Sequence, residues 1–126
     1  EMQRSLVGSE MCIRDRCSIG VENLGFHRTG VYRASTLKAR EYAAKGLPFI
    51  TSLKLDIFEN EKFVLHVPAD ESNIDVNEIV AFYDELYLNK DAQELARNIR
   101  EKAKSICDIC VTMLPVIEYF KSKENK

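Results

Sequence analysis

The sequence predicts an α/β domain: part of a doubly wound, Rossmann-like parallel sheet followed by C-terminal helices. Three observations carry this. Short apolar runs such as Cys17–Val21 and Leu47–Thr51 have strand length and are separated by a segment of helical period, with Phe63–Val67 a further run of strand length. A glycine-bearing loop, Glu22–Ala34, leads straight into the first helix. The C-terminal half then reads as helix throughout, with two acidic start signals.

The elements follow in order. Residues 1–16, ending in "SLVGSEMCIRDR", show no helical or strand period and no cap. A secretory signal needs a continuous apolar core of roughly 7–15 residues, and Glu10, Arg14, Asp15 and Arg16 interrupt every apolar run here. A presequence of mitochondrial type is basic and poor in acids, whereas Glu1, Glu10 and Asp15 balance Arg4, Arg14 and Arg16. One back-translation of Leu6 to Asp15, CTC GTG GGC TCG GAG ATG TGT ATA AGA GAC, spells a transposon-type sequencing adapter read in frame. Glu1-Met2 suit the constant bases before the index in such adapters. Residues 1–16 are therefore expected to be a non-native, unstructured segment, and residues 17–126 the tail of a longer protein interrupted at Cys17.

Cys17–Val21 reads as a short buried strand. Ser35 is placed to cap a helix through Leu37, Arg40, Glu41 and Ala44, which stops at Gly46, a natural C′ residue. In the strand Leu47–Thr51, Pro48 lies near the first position, where a ladder donor is least missed. After the turn-rich stretch Glu59–Lys62 comes the strand Phe63–Val67. Asp75 with Glu78 resembles a capping box, opening a helix with an apolar stripe of Val76, Ile79, Val80, Tyr83, Leu86 and Tyr87. Asp91 with Glu94 repeats the signal ahead of Leu95, Ile99, Ala103 and Ile106. Pro115 is expected to break or kink a last helix between Cys107 and Lys121, and Lys121–Lys126 to fray.

Composition excludes several classes. A net charge of −2 offers no nucleic-acid footprint. Arg97–Lys104 mixes bases with Glu101 and hydrophobes, the pattern of a solvated helix face. No apolar run approaches the about 20 residues of a membrane span. With Cys12 assigned to the adapter, Cys107-x-x-Cys110 lacks the ligand count of a zinc site. Cys107, Cys110, Val111 and Leu114 fall at i, i+3, i+4, i+7, so both thiols are expected in a helix face on the core. Three unpaired cysteines suit a reducing, cytoplasmic compartment.

The chemistry concentrates in "LGFHRTGVYRASTLKAREYAAKGLPFIT", Leu24 to Thr51. The first amides of the helix, around Thr36 to Lys38, lack intrahelical acceptors and lie at the positive end of the dipole, where phosphate binds. Glu41 lies about one and a half turns in, within reach of a ribose diol, and Lys38 can neutralise a diphosphate. Any helix start offers amides, and Glu41 can equally pair with Lys38, Arg40 or Lys45. His27 and Arg28 sit on the loop, either as phosphate or sugar contacts or as loop-ordering residues. His66 reads as a strand residue rather than a catalyst.

The run Ser35-Thr-Leu-Lys-Ala-Arg-Glu-Tyr-Ala-Ala-Lys-Gly-Leu-Pro-Phe-Ile50 resembles the signature segment of retaining glycosyltransferases of the GT-B type, the large bacterial "group 1" family. Ile19–Arg28, Val67–Asp70 and Ile74–Tyr83 resemble the same proteins, so the likeness covers residues 17–126. It implies the C-terminal half of a GT-B fold, which binds a nucleotide-sugar donor and passes the glycosyl group to an acceptor held by a missing N-terminal domain. The family places two glutamates eight positions apart. The second, a ribose contact, matches Glu41; the first, a contact to the donor sugar, falls at Arg33. Ser35, Thr36, Leu37 and Lys38 replace the commoner glycine-rich turn, with Thr36 and Leu37 offering amides to the phosphates. The resemblance implies no obligatory metal and no cofactor, a cytoplasmic parent working in bacterial glycan or glycoconjugate synthesis, and room for peripheral association with the inner membrane face. The alternative reading is a non-catalytic binding or regulatory domain of the same fold. The isolated piece is expected to be inactive.

Overall fold

The computed structural model describes residues 16–124. The expected adapter-encoded segment lies, up to residue 15, outside the described residues. The elements are β1 (Gly20–Glu22), a 3-10 turn (Phe26–Thr29), β2 (Arg33–Ala34), α1 (Leu37–Lys45), β3 (Phe49–Thr51), β4 (Lys54–Leu55), β5 (Val64–His66), α2 (Val76–Tyr87), α3 (Ala92–Cys107) and α4 (Ile109–Glu124). Strands β1, β3 and β5 form a parallel sheet with β3 central, in register from Gly20, Phe49 and Val64 to Glu22, Thr51 and His66. β2 and β4 make a second parallel pair. The architecture is thus α/β with a small parallel sheet and C-terminal helices, a layout compatible with the Rossmann-like expectation.

Because β1 and β3 are parallel neighbours, the chain must cross back between them, and α1 makes that crossing. The helix therefore starts at the carboxyl edge of the strands. Its buried face, Ala39, Tyr42 and Ala43, joins Phe49 and Val64 of the sheet, Phe58 and Phe63, and Ile99 and Ala103 of α3 in one cluster. Leu95 and Ile106 pack against that cluster, as the α3 stripe predicts. The Tyr42 ring lies over Gly20, where an added Cβ would come within 2.9 Å of it, and the Tyr42 hydroxyl donates to the Val21 carbonyl at 3.0 Å. Asp75 and Asp91 cap α2 and α3, accepting from the amides of Asn77 and Gln93 at 2.8 Å each.

Several expectations are corrected. β1 begins at Gly20, whose amide donates to the Pro48 carbonyl at 2.8 Å, and it takes in Glu22, which the sequence reading placed in a loop. The loop also yields Arg33 and Ala34 to β2. Helix α2 buries Phe82 and Leu86, one turn apart, and this rotates Val76, Val80 and Tyr83 out to solvent. The helix break falls at Asp108, whose carboxylate accepts from the Cys110 amide at 2.8 Å, and not at Pro115. Pro115 removes one backbone donor, but the carbonyl it releases belongs to exposed Val111, where water can serve it. The helix then runs on to Glu124.

That break also separates the two thiols. Cys107 closes α3 half-buried, and burial pushes its thiol up from the ordinary value. Cys110 is exposed on α4, as are Val111 and Leu114, so the expected buried stripe does not form. Every described side chain of α4 is exposed, although it carries Ile109, Met113, Ile117, Tyr119 and Phe120. No helix among the described residues is long and apolar enough to cross a membrane.

Candidate functional site

The start of α1 is built by side chains that hold its first turn. Thr36, not Ser35, is the N-cap: its backbone is extended and its hydroxyl oxygen accepts from the Ala39 amide at 3.3 Å. Ser35, one residue earlier, hydrogen-bonds Asp56 instead. Arg40 bridges the same region, donating to Asp56 at 2.6 Å and to the Thr36 carbonyl at 3.0 Å. Partial desolvation pushes the Asp56 carboxyl up, but the hydrogen bonds from Arg40 and Ser35 outweigh it and leave it below the usual carboxylate range.

With the Ala39 amide taken by the cap, the helix geometry leaves the amides of Leu37 and Lys38 without intrahelical acceptors. Leu37 is 77% exposed, and Lys38 and Glu41 are exposed beside it, three positions apart on one helix face. Ser35, Thr36, Leu37 and Lys38 therefore lie at the carboxyl edge of the sheet, with Glu41 about one turn further along α1. Arg33 lies just upstream, exposed in β2 opposite Lys54. The arrangement offers two amides, one cation and one carboxylate to an anionic ligand with hydroxyls.

His27 and Arg28 belong to a different grouping. Arg28 grips Glu71 with two bonds, Nε to Oε1 at 2.7 Å and Nη2 to Oε2 at 2.6 Å, and His27 Nε2 donates to Oε1 at 3.0 Å. They tie the turn after β1 to the loop after β5 across a cleft of about 270 Å³ lined also by Leu24, Val67, Pro68 and Ile74. None of Ser35 to Glu41 lines that cleft. The two side chains thus join the two loops through Glu71. His66, exposed at the end of β5, donates to the Glu59 carbonyl at 3.1 Å.

The hydrogen bonds from Arg28 and His27 hold the Glu71 carboxyl at about 2, well below its ordinary 4.5. A carboxyl whose folded value is depressed contributes its stability above the unfolded value, and loses it as pH falls from about 4.5 toward about 2. An NMR titration of the Glu71 carboxyl is expected to show a midpoint near 2 in the wild type and a clear upward move in Arg28→Gln. A midpoint that does not move would refute the clasp.

Sequence reasoning missed the most unusual residue of the region. Glu22, the last residue of β1, is fully buried. Its Oε1 accepts from the hydroxyl of Thr36, the cap of α1, and from Asn23 Nδ2 at 3.3 Å; its Oε2 has no hydrogen-bond partner. Leaving a buried acceptor unpaired costs about 1–3 kcal/mol, more for a charged group. The readable signal was an acidic residue interrupting the apolar run Ile19–Val21 just before a glycine-bearing loop. Among the described residues, no group of three or more His, Cys, Asp or Glu side chains is placed to hold a metal ion. No family model, curated protein or solved structure matches the chain.

Proposed function

We propose that residues 17–126 form the nucleotide-sugar-binding part of a retaining glycosyltransferase of GT-B type. One observation carries the reading. The segment on which the resemblance rests, Ser35 to Ile50, folds as a single unit of cap, helix, C′ glycine and central strand, and its open face presents Lys38, Glu41 and the amides of Leu37 and Lys38. On this reading the two amides and Lys38 receive the donor diphosphate. As the bond from anomeric carbon to phosphate breaks, charge gathers on the diphosphate, and fixed donors stabilise it without reorganising. Glu41 accepts from the ribose hydroxyls. The acceptor and the groups that position it belong to an N-terminal domain, and the exposed apolar faces of α2 and α4 support such a neighbour. Arg33, at the place of the family's first glutamate, favours a second reading, a non-catalytic domain that binds nucleotide without turnover.

The test is isothermal titration of the full chain with UDP, GDP and inorganic pyrophosphate. Glu41→Ala is expected to weaken the nucleotide by about tenfold or more, as loss of hydrogen bonds to a charged group does, and to leave pyrophosphate unchanged. No binding of either nucleotide, or equal losses for nucleotide and pyrophosphate, overturns the ribose assignment.

A further inference from the structure

We infer that Glu22 is a specificity-determining residue for the same site, its free oxygen accepting a hydrogen bond from a hydroxyl of the donor's sugar. The inference rests on the nucleotide-sugar reading. Three observations on one side chain lead to it. Glu22 ends β1 at the carboxyl edge of a parallel sheet, where ligands of open α/β sheets bind. It is directed at the start of α1, because Oε1 meets the Thr36 hydroxyl that caps the helix. And it is fully buried with Oε2 unpartnered.

The chemistry of the missing partner follows from the acceptor. A carboxylate oxygen needs a donor, and a diphosphate at neutral pH has none to offer; the two charges would repel. A hydroxyl donates to Oε2 and can at the same time accept from a neighbouring amide, which suits a site with both. Oε2 has no exposed surface, so the contact requires rotation of the Glu22 side chain, whose holds are both on Oε1, from the Thr36 hydroxyl and, at a long 3.3 Å, from Asn23.

The experiment compares each diphosphate with its sugars: UDP with UDP-glucose, UDP-galactose and UDP-N-acetylglucosamine, and GDP with GDP-mannose, on the full chain and on Glu22→Gln. The amide is isosteric; with its oxygen still serving Thr36, it turns the free acceptor into a donor. At least one nucleotide sugar should bind about tenfold tighter than its diphosphate, and Glu22→Gln should abolish that gain while the diphosphate affinity holds. An undiminished gain in Glu22→Gln overturns this inference and spares the nucleotide reading. So does the absence of any gain, equal weakening of diphosphate and nucleotide sugar, or a gain that appears only with magnesium. Failure of every nucleotide to bind overturns both. Should Glu22→Gln not fold, Glu22→Asp decides: withdrawn by one methylene, its carboxylate should lose the gain, and retention of the full gain overturns the inference.

Discussion

Replacing Phe49 with alanine is expected to remove about 4 kcal/mol of stability, at the upper end of core truncations. Phe49 is fully buried at the start of the central strand, with its ring against Tyr42 of α1 at 5.8 Å and Phe63 at 6.4 Å between centroids. Its amide donates to the Phe63 carbonyl at 3.0 Å, so the backbone cannot shift to close the void without losing a ladder bond. Domains of this size are stable by about 5–15 kcal/mol, and the loss should lower the melting temperature by roughly 20 °C. Urea unfolding followed by circular dichroism measures it, with Phe49→Leu as the smaller, volume-sparing control at about 1.5 kcal/mol or less. A loss below about 1 kcal/mol for Phe49→Ala would mean that the cluster joining α1, the sheet and α3 is not the core.

What the sequence disclosed and what it withheld divide along a physical line. Features settled within one turn of chain were legible. Asp75, Asp91 and Gly46 terminate helices at their predicted places because a cap needs only its neighbours two or three residues away. The α3 stripe was legible because Ile99 and Ala103 repeat at helical spacing. The cap of α1 was misplaced by one residue because Ser35 and Thr36 carry the same chemistry, and the choice between them was made by partners distant in the chain, Asp56 for Ser35 and Glu22 for Thr36. The direction of the α2 stripe depended on which of two adjacent apolar rows met the core, and period alone does not say.

Features settled between distant segments were not legible. β2 and β4 are two-residue strands, too short for any alternation to show. Glu71 meets Arg28 from 43 positions away. Of the candidate site, the α1 residues were found because a helix start advertises its amides locally. Glu22 was missed because acidity in a sequence predicts exposure, and only the assembled sheet shows that this carboxylate lies inside. The exception to the local rule thus falls beside the residues already suspected, which is where a fold tolerates an uncompensated polar group.

Gly46→Ala provides the sharpest test of the α1 to α3 packing, with an expected cost of about 3 kcal/mol from two sources. Gly46 has φ 77, a left-handed conformation in which its amide bonds the Ala43 carbonyl at 2.9 Å and the next amide bonds that of Tyr42, closing the helix. A side chain there costs about 1–2 kcal/mol in conformation alone. The added Cβ would also strike the Ala96 carbonyl oxygen and lie 2.8 Å from its Cα. These are backbone atoms of a helix and cannot rotate aside, so α1 and α3 must separate, at the expense of the contacts of Ile99 and Ala103. Two further variants divide the sources. Asparagine tolerates positive φ, so Gly46→Asn should recover only about 1 kcal/mol if the clash dominates. Ala96→Gly in the Gly46→Ala background should rescue nothing, since the obstructing atoms remain. Full recovery in Gly46→Asn would show that backbone strain, and not the close approach of the two helices, fixes glycine at this position.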